Sequence, residues 1–150
     1  MQGWCGLTEM IERSLSGIFC DDIREEVRGK KSLIGCYSGV MEVSDFPITL
    51  PKLCVHAILQ TPGTRPFRTV KVFVLQDEDI LAEGELPAME QAPAQEPNQL
   101  LRIDVQFVFS PLTLEKPCAL RVRAEIDGVE TRGLALEVKA KEQAGAEAID

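Results

Sequence analysis

The chain has 150 residues, of which 45% are hydrophobic and 27% charged. These proportions are those of an ordinary globular domain and argue against wholesale disorder, and the length suits a single domain. The 24 acidic residues exceed the 16 basic ones, which leaves a net charge of −8. Because this charge repels phosphate groups, we expect neither a nucleic-acid partner nor insertion into an anionic membrane. A protein partner is expected to present a basic surface.

Residues 1–15 carry a weak helical pattern, with Thr8 as the N-cap and apolar residues at helical spacing: Leu7, Met10, Ile11 and Leu15. The pattern predicts a short N-terminal helical extension, and the alternative is a frayed end that lies on the sheet. The same stretch lacks the basic and apolar regions of a secretion signal. The five cysteines follow no metal-binding or disulfide-type spacing. Together these features indicate a cytoplasmic protein with reduced thiols.

Alternating apolar and polar residues predict five strands in the first half of the chain, over 16–23, 32–40, 53–60, 67–76 and 80–86. The first two form an opening hairpin that turns at Gly29. Residues 46–51 contain two prolines, which predicts an extended corner outside any ladder. In the third strand Leu53, Val55, Ala57 and Leu59 are expected to face the core. Cys54 and His56 are then expected on the opposite face.

The second half of the chain predicts three more strands, over 101–109, 118–126 and 129–138. Residues 87–99 are rich in Pro, Ala and Gln, which predicts a mobile surface loop. Asp127-Gly128 is typical of a two-residue hairpin turn. The apolar residues beyond this turn change parity, which predicts a bulge near Gly133. Residues 139–150 predict a frayed tail.

Eight short strands at regular spacing, joined by Pro and Gly turns, are typical of an antiparallel two-sheet sandwich of immunoglobulin-like character. The sequence therefore predicts an all-β domain over residues 16–138. The N-terminal extension and the tail flank this domain.

Three stretches resemble a family of small uncharacterised bacterial and prophage-borne proteins. They are residues 19–26 (FCDDIREE), residues 29–37 (GKKSLIGCY) and residues 46–53, with Phe46-Pro47 and Leu50-Pro51-Lys52-Leu53. The resemblance extends from Ile18 to about Val138. It implies a β-sandwich and a bacterial or phage setting, and it implies no reaction.

The opening hairpin contains an acidic cluster in which Arg24 lies among four carboxylates: Asp21, Asp22, Glu25 and Glu26. Such oxygen-rich clusters can bind calcium, but the spacing here matches no calcium loop. The favoured interpretation is a solvated turn with Arg24 or Lys30 paired across it.

Cys54 and His56 lie two residues apart on one predicted strand and so face the same way, a geometry that zinc sites use. Structural zinc takes four ligands, so Cys20, Cys36 or Cys118 would have to join them. A Cys–His nucleophile would in addition need an orienting carboxylate. The favoured interpretation is a half-buried histidine with a backbone partner, and no cofactor is expected.

The leading hypothesis is a non-enzymatic protein–protein interaction module, bacterial or phage-encoded, that inhibits a host protein by occlusion. Its expected contact surfaces are a sheet edge, the N-terminal residues Trp4, Leu7, Met10 and Ile11, and the hairpin residues Asp21, Asp22, Arg24, Glu25 and Lys30. Apolar anchors beside a charged rim are what small protein interfaces use. The alternatives are a virion or tail accessory subunit, an enzyme based on Cys54 and His56 with or without zinc, and a small-ligand binder. A monomer or a homodimer is expected.

Overall fold

The computed structural model describes residues 12–86 and 99–142. Within these ranges the chain forms strands and no α-helix, which confirms the predicted all-β class. The strands are β1 (Ser14–Glu25), β2 (Lys31–Cys36), β3 (Val40–Val43), β4 (Ile48–Leu50), β5 (Leu53–Pro62), β6 (Val70–Gln76), β7 (Asp79–Leu86), β8 (Leu100–Phe109), β9 (Leu112–Leu114), β10 (Cys118–Ile126) and β11 (Val129–Ala140).

Nine of these strands form two large sheets. The four-stranded sheet has the order β2-β1-β5-β8, and the five-stranded sheet has the order β3-β11-β10-β6-β7. All pairs are antiparallel except one, because β3 runs parallel to β11 and pairs Val40 with Glu137. The second sheet is therefore mixed, which corrects the prediction of a wholly antiparallel fold.

The predicted strand over 32–40 is confirmed only in its first part, because this segment divides between the two sheets. Its first part is β2 of the four-stranded sheet, and its end begins β3 of the five-stranded sheet. Gly35, near the end of β2, and Gly39, just before β3, have φ of +70° and +93°, a conformation that departs from extended backbone and that glycine adopts at little cost.

The predicted proline corner over 46–51 is also corrected, since its centre forms β4 and pairs with β9. Thr49 lies opposite Thr113, and their hydroxyl oxygens are 2.9 Å apart. Pro47 and Pro51 flank the three-residue strand, so neither ring occupies a position inside β4 where an amide hydrogen is needed.

The predicted ends of the domain also change. Ser14 and Leu15, assigned to the helical extension, instead open β1, where Leu15 lies opposite Leu59. At the other end Lys139 and Ala140 pair with β3 and so belong to the sheet rather than to a tail. Glu12 and Arg13 of the predicted extension are also not helical. Residues 1–11, the loop over 87–98 and the tail beyond residue 142 lie outside the described residues.

The two large sheets contribute to one apolar core. The four residues predicted to face inward from the third strand are buried: Leu53, Val55, Ala57 and Leu59. From the other sheet come Val72, Leu120 and Leu136, also buried. Full burial of such side chains contributes about 1.5–3 kcal/mol each, so this core is the main source of stability.

The hairpin of β10 and β11 confirms the predicted turn and bulge. Ile126 lies opposite Val129 across Asp127-Gly128. Further along, Arg121 faces Ala135 whereas Arg123 faces Arg132, which leaves one extra residue in β11 at Gly133 and Leu134. This bulge restores the inward orientation of Leu136.

Candidate functional site

The β1–β2 hairpin continues past the point where β1 leaves β5. From Ser14 to Cys20, β1 pairs with β5, and from Cys20 to Glu25 it pairs with β2. Beyond Cys20 the hairpin is therefore a two-stranded arm attached to the four-stranded sheet. This arm contains most of the predicted hairpin site residues.

A bend in the arm forms where Asp21 faces Gly35. The strands are paired on both sides of this position, at Cys20–Cys36 and at Asp22–Ile34, and Gly35 has a positive φ. The Tyr37 hydroxyl donates to Asp21 Oδ1 at 2.6 Å. Burial of the ring, followed by this hydrogen bond, raises the pKa of Tyr37 to about 12. Asp21 thus has a structural partner at the bend.

The remaining acidic residues of the arm also have partners. Lys52 Nζ lies 2.6 Å from Asp22 Oδ1, and its hydrogen bond is the main cause of the lowered pKa of Asp22. Across the hairpin, Lys31 Nζ lies 3.7 Å from Glu25, and the Ser32 hydroxyl donates to Glu26 at 2.7 Å. Among the residues that the structure describes, no group of three or more His, Cys, Asp or Glu side chains is suited to a metal ion.

The structure corrects the prediction that Arg24 or Lys30 forms the ion pair across the turn. Arg24 lies 3.8 Å from Asp22 on its own strand rather than across the hairpin. The cross-hairpin ion pair is made by Lys31 instead of Lys30. Lys30 closes the turn through its backbone, because its carbonyl accepts the Glu26 N–H at 2.7 Å.

The tip of the arm exposes one large apolar side chain. Val27, Arg28 and Gly29 form a tight turn in which Arg28 has a φ of +65° and Gly29 a φ of +71°. Val27 is 75% exposed. Sequence reasoning assigned no role to this residue, although an isolated valine within a run of charged residues was the available signal.

An open groove of about 290 Å³ lies between the arm and the four-stranded sheet. The arm contributes Gly29, Lys31 and Leu33, and the sheet contributes Ile18, His56, Ile58, Arg102 and Asp104. The outer face of the sheet, opposite the core, therefore lies partly under the arm.

His56 is buried in this region, with 4% of its surface exposed. Its Nε2 lies 3.2 Å from Asp104 Oδ2, while Arg102 Nε donates to Asp104 Oδ1 at 2.7 Å. The Arg102 hydrogen bonds are the main cause of the lowered pKa of Asp104. The His56 Nδ1 atom is buried with no hydrogen-bond partner in the described part of the chain. The predicted half-buried histidine with a backbone partner is thus corrected to a buried histidine with a carboxylate partner.

Cys54 and His56 share the face opposite the core, as predicted, and a row of thiols runs through Cys54. Cys54 lies opposite Cys20, which in turn lies opposite Cys36. Cys118 belongs to β10 in the other large sheet. The predicted contact residues Trp4, Leu7, Met10 and Ile11 lie outside the described residues.

Fold and site together define an all-β protein with a two-stranded arm on one of its sheets. The model of a family of unknown function, DUF6941, matches residues 15–139, and the chain belongs to this family. This match confirms the family resemblance predicted over Ile18 to Val138. The search of curated proteins found no significant match. In the described ranges no helix has the length and apolar character needed to cross a membrane.

Proposed function

We propose that this protein is a non-enzymatic cytoplasmic module, bacterial or phage-encoded, that binds another protein through the tip of the β1–β2 arm. The observation that carries the proposal is the 75% exposure of Val27 on a turn that a backbone hydrogen bond closes. Apolar side chains that remain exposed at a projecting turn are effective anchors, because binding removes their surface from water.

Two hydrogen bonds within the arm support the conformation of the tip. The Glu26 N–H donates to the Lys30 carbonyl, and the Ser32 hydroxyl donates to the Glu26 carboxylate, each at 2.7 Å. Arg28 adopts a left-handed backbone conformation that is uncommon for residues other than glycine. Such strain clusters at binding sites. A fixed tip loses less conformational entropy on binding, which favours affinity.

The surroundings of Val27 resemble the rim of a small protein interface. Five charged side chains around it are exposed: Arg24, Glu25, Glu26, Arg28 and Lys30. Protein interfaces combine an apolar centre with a polar rim that orients the partner. We therefore expect the partner to offer an apolar depression with charges around it. Occupation of that depression by the tip would block other ligands of the partner, which is inhibition by occlusion.

We also propose an immunoglobulin-like topology for the sandwich. In that fold strands B and E are neighbours in one sheet, and strands C, F and G lie in the other, with C′ beside them in variable-type domains. The adjacent strands β5 and β8 correspond to B and E. The run β7-β6-β10-β11 corresponds to C′, C, F and G. The arm is then an addition to this framework.

The binding proposal is tested by affinity capture of the tagged full-length protein from a lysate of its bacterial host. Val27→Asp places a charge at the proposed anchor. Val129→Asp is the matched control, because Val129 is 66% exposed at the tip of the β10–β11 hairpin. We expect one stoichiometric partner that is lost with Val27→Asp and kept with Val129→Asp. Retention of the partner by both variants would reject the tip as the contact.

A shortened chain that starts at Glu12 separates the arm from the predicted N-terminal contacts. This start keeps Arg13, which lies 2.8 Å from Asp127 and donates to Thr61, so the contacts of β1 with the sandwich remain. Binding through the arm predicts full recovery of the partner by this chain. If the shortened chain loses the partner and the Val27→Asp variant still captures it, the contact lies instead on the N-terminal residues Trp4, Leu7, Met10 and Ile11.

A further inference from the structure

Three cysteines occupy one row across three neighbouring strands. Cys36 of β2 lies directly opposite Cys20 of β1, and Cys20 lies directly opposite Cys54 of β5. Side chains directly opposite each other on antiparallel strands share a face of the sheet. The row therefore holds three cysteines on neighbouring strands, with Cys20 in the middle.

The Cys20–Cys36 pair has a position in the ladder that suits a disulfide. Next to it, the Tyr37 N–H donates to the Phe19 carbonyl at 2.9 Å. A hydrogen bond between the flanking residues marks Cys20 and Cys36 as a non-hydrogen-bonded pair, a type of pair whose Cα atoms are typically about 4.5 Å apart. Disulfides join residues whose Cα atoms are about 4.4–6.8 Å apart, so this pair lies within the permitted range.

The two thiols differ in their access to solvent. Cys36 is exposed, whereas Cys20 and Cys54 are fully buried. Burial, with smaller contributions from Cys54 and Cys36, raises the pKa of Cys20 to about 11. A dissolved oxidant therefore reaches Cys36 first. The thiolate is the reactive form, and the raised pKa of Cys20 leaves little of that thiol ionised.

We propose that Cys36 and Cys20 form an oxidation site, in which a peroxide oxidises Cys36 and Cys20 then closes a disulfide. In the first step the Cys36 thiolate attacks the peroxide, an S–O bond forms, the O–O bond breaks and hydroxide leaves. In the second step Cys20 attacks the Cys36 sulfur, an S–S bond forms and the S–O bond breaks. The departing oxygen takes the proton of Cys20 and leaves as water. With hydrogen peroxide, two thiols and one peroxide become one disulfide and two waters.

The disulfide would join β1 to β2 at the base of the arm, at the row where β1 also leaves β5. Oxidation would therefore fix the attachment of the arm to the sheet. This chemistry requires only the two thiols and the peroxide, and it proceeds whether or not the tip of the arm binds a protein.

The test uses the full-length protein with Cys5→Ser, because Cys5 lies outside the described residues. The reduced protein is treated with equimolar hydrogen peroxide, its remaining thiols are alkylated, and its mass and tryptic peptides are measured without reductant. Arg24 and Arg28 lie between the two cysteines, so trypsin separates them unless a disulfide joins them. We expect the loss of two hydrogen atoms per chain and a linked pair of peptides that contain Cys20 and Cys36.

Two variants complete the test. Cys36→Ser changes an exposed side chain and should abolish the linked peptides. Cys118→Ser, in the other large sheet, should leave them unchanged. The proposal is overturned if Cys36 only accumulates oxygen without a link, or if the bond formed is between chains or between Cys20 and Cys54.

Discussion

The Asp21 carboxyl group packs against Gly35, the residue that faces it across the β1–β2 arm. A Cβ atom at Gly35 would overlap this carboxyl group, and Gly35 has a φ of +70°. The backbone at this bend therefore requires a glycine for two separate reasons.

Gly35→Ala should lower the free energy of unfolding by about 2–4 kcal/mol, from the left-handed backbone and the clash combined. Gly29→Ala is the matched control, because Gly29 has a φ of +71° and open space around its Cα. Its expected loss is about 1–2 kcal/mol, from the backbone alone. Urea unfolding at neutral pH measures both values, and equal losses would contradict a role for Asp21 at the bend.

Asp127 connects the β10–β11 turn to two other parts of the chain. Its Oδ1 accepts the N–H groups of Arg68 and Thr69 at 2.9 and 2.8 Å, and its Oδ2 lies 2.8 Å from Arg13. Burial alone would raise the pKa of Asp127, but these backbone donors and Arg13 lower it overall. We expect Asp127→Asn to lower stability at pH 7 by about 1–3 kcal/mol, since charge-assisted hydrogen bonds are lost.

The pH dependence of this effect has a defined sign. The folded pKa lies below the unfolded value, so the contribution of Asp127 is complete above the unfolded pKa of about 3.9 and is lost as the pH falls through the folded value. The difference between the wild type and Asp127→Asn should therefore shrink between pH 5 and pH 3, a range of about one unit on each side of that pKa. A constant difference over this range, in urea unfolding, would contradict the assigned role of the carboxylate.

Asp104 provides the partner for the buried His56 side chain. Asp104→Ala would leave both ring nitrogens without a described partner, which we expect to cost about 1–3 kcal/mol. Arg102→Ala removes an exposed ion pair with the same carboxylate and should cost at most about 1 kcal/mol. Thermal or urea unfolding of both variants measures the two losses of stability. A larger loss with Arg102→Ala would mean that the exposed ion pair, and not the His56 contact, is the important one.

High pH should destabilise the fold through Cys20. Its pKa rises from 9.0 to about 11 on folding, because burial disfavours the thiolate. The buried thiol therefore contributes fully below pH 9, and this contribution is lost as the pH rises toward 11. Cys20→Ala should flatten the decline of stability between pH 9 and pH 10, measured by urea unfolding under reducing conditions. An unchanged slope would contradict the burial of this thiol.

Local signals in the sequence predicted several elements correctly. Asp127-Gly128 and the parity change beyond it are contained within a dozen residues, so the hairpin and the bulge at Gly133 followed from short-range rules. Gly35 and Gly39 lie where the chain passes from one large sheet to the other. Their effect depends on which sheet the following residues join, and no local pattern contains that information.

The candidate site was less predictable, because its contacts join distant parts of the chain. The alternation in β5 placed Cys54 and His56 on the outer face, but the partner Asp104 comes from β8, a neighbour that the sequence does not specify. Lys52 likewise reaches Asp22 across thirty positions of the chain. Val27 was overlooked because a single exposed valine has no periodic pattern.

Site-specific photo-crosslinking tests the central proposal most directly. A photoreactive residue replaces Val27 in one sample and Val129 in another, and each protein is irradiated in the host lysate. We expect one crosslinked partner from position 27 and none from position 129, because contact through the tip of the arm places the partner against the first position alone. Equal crosslinking from both positions would contradict binding through the arm. So would a partner that affinity capture recovers but that crosslinks to neither position.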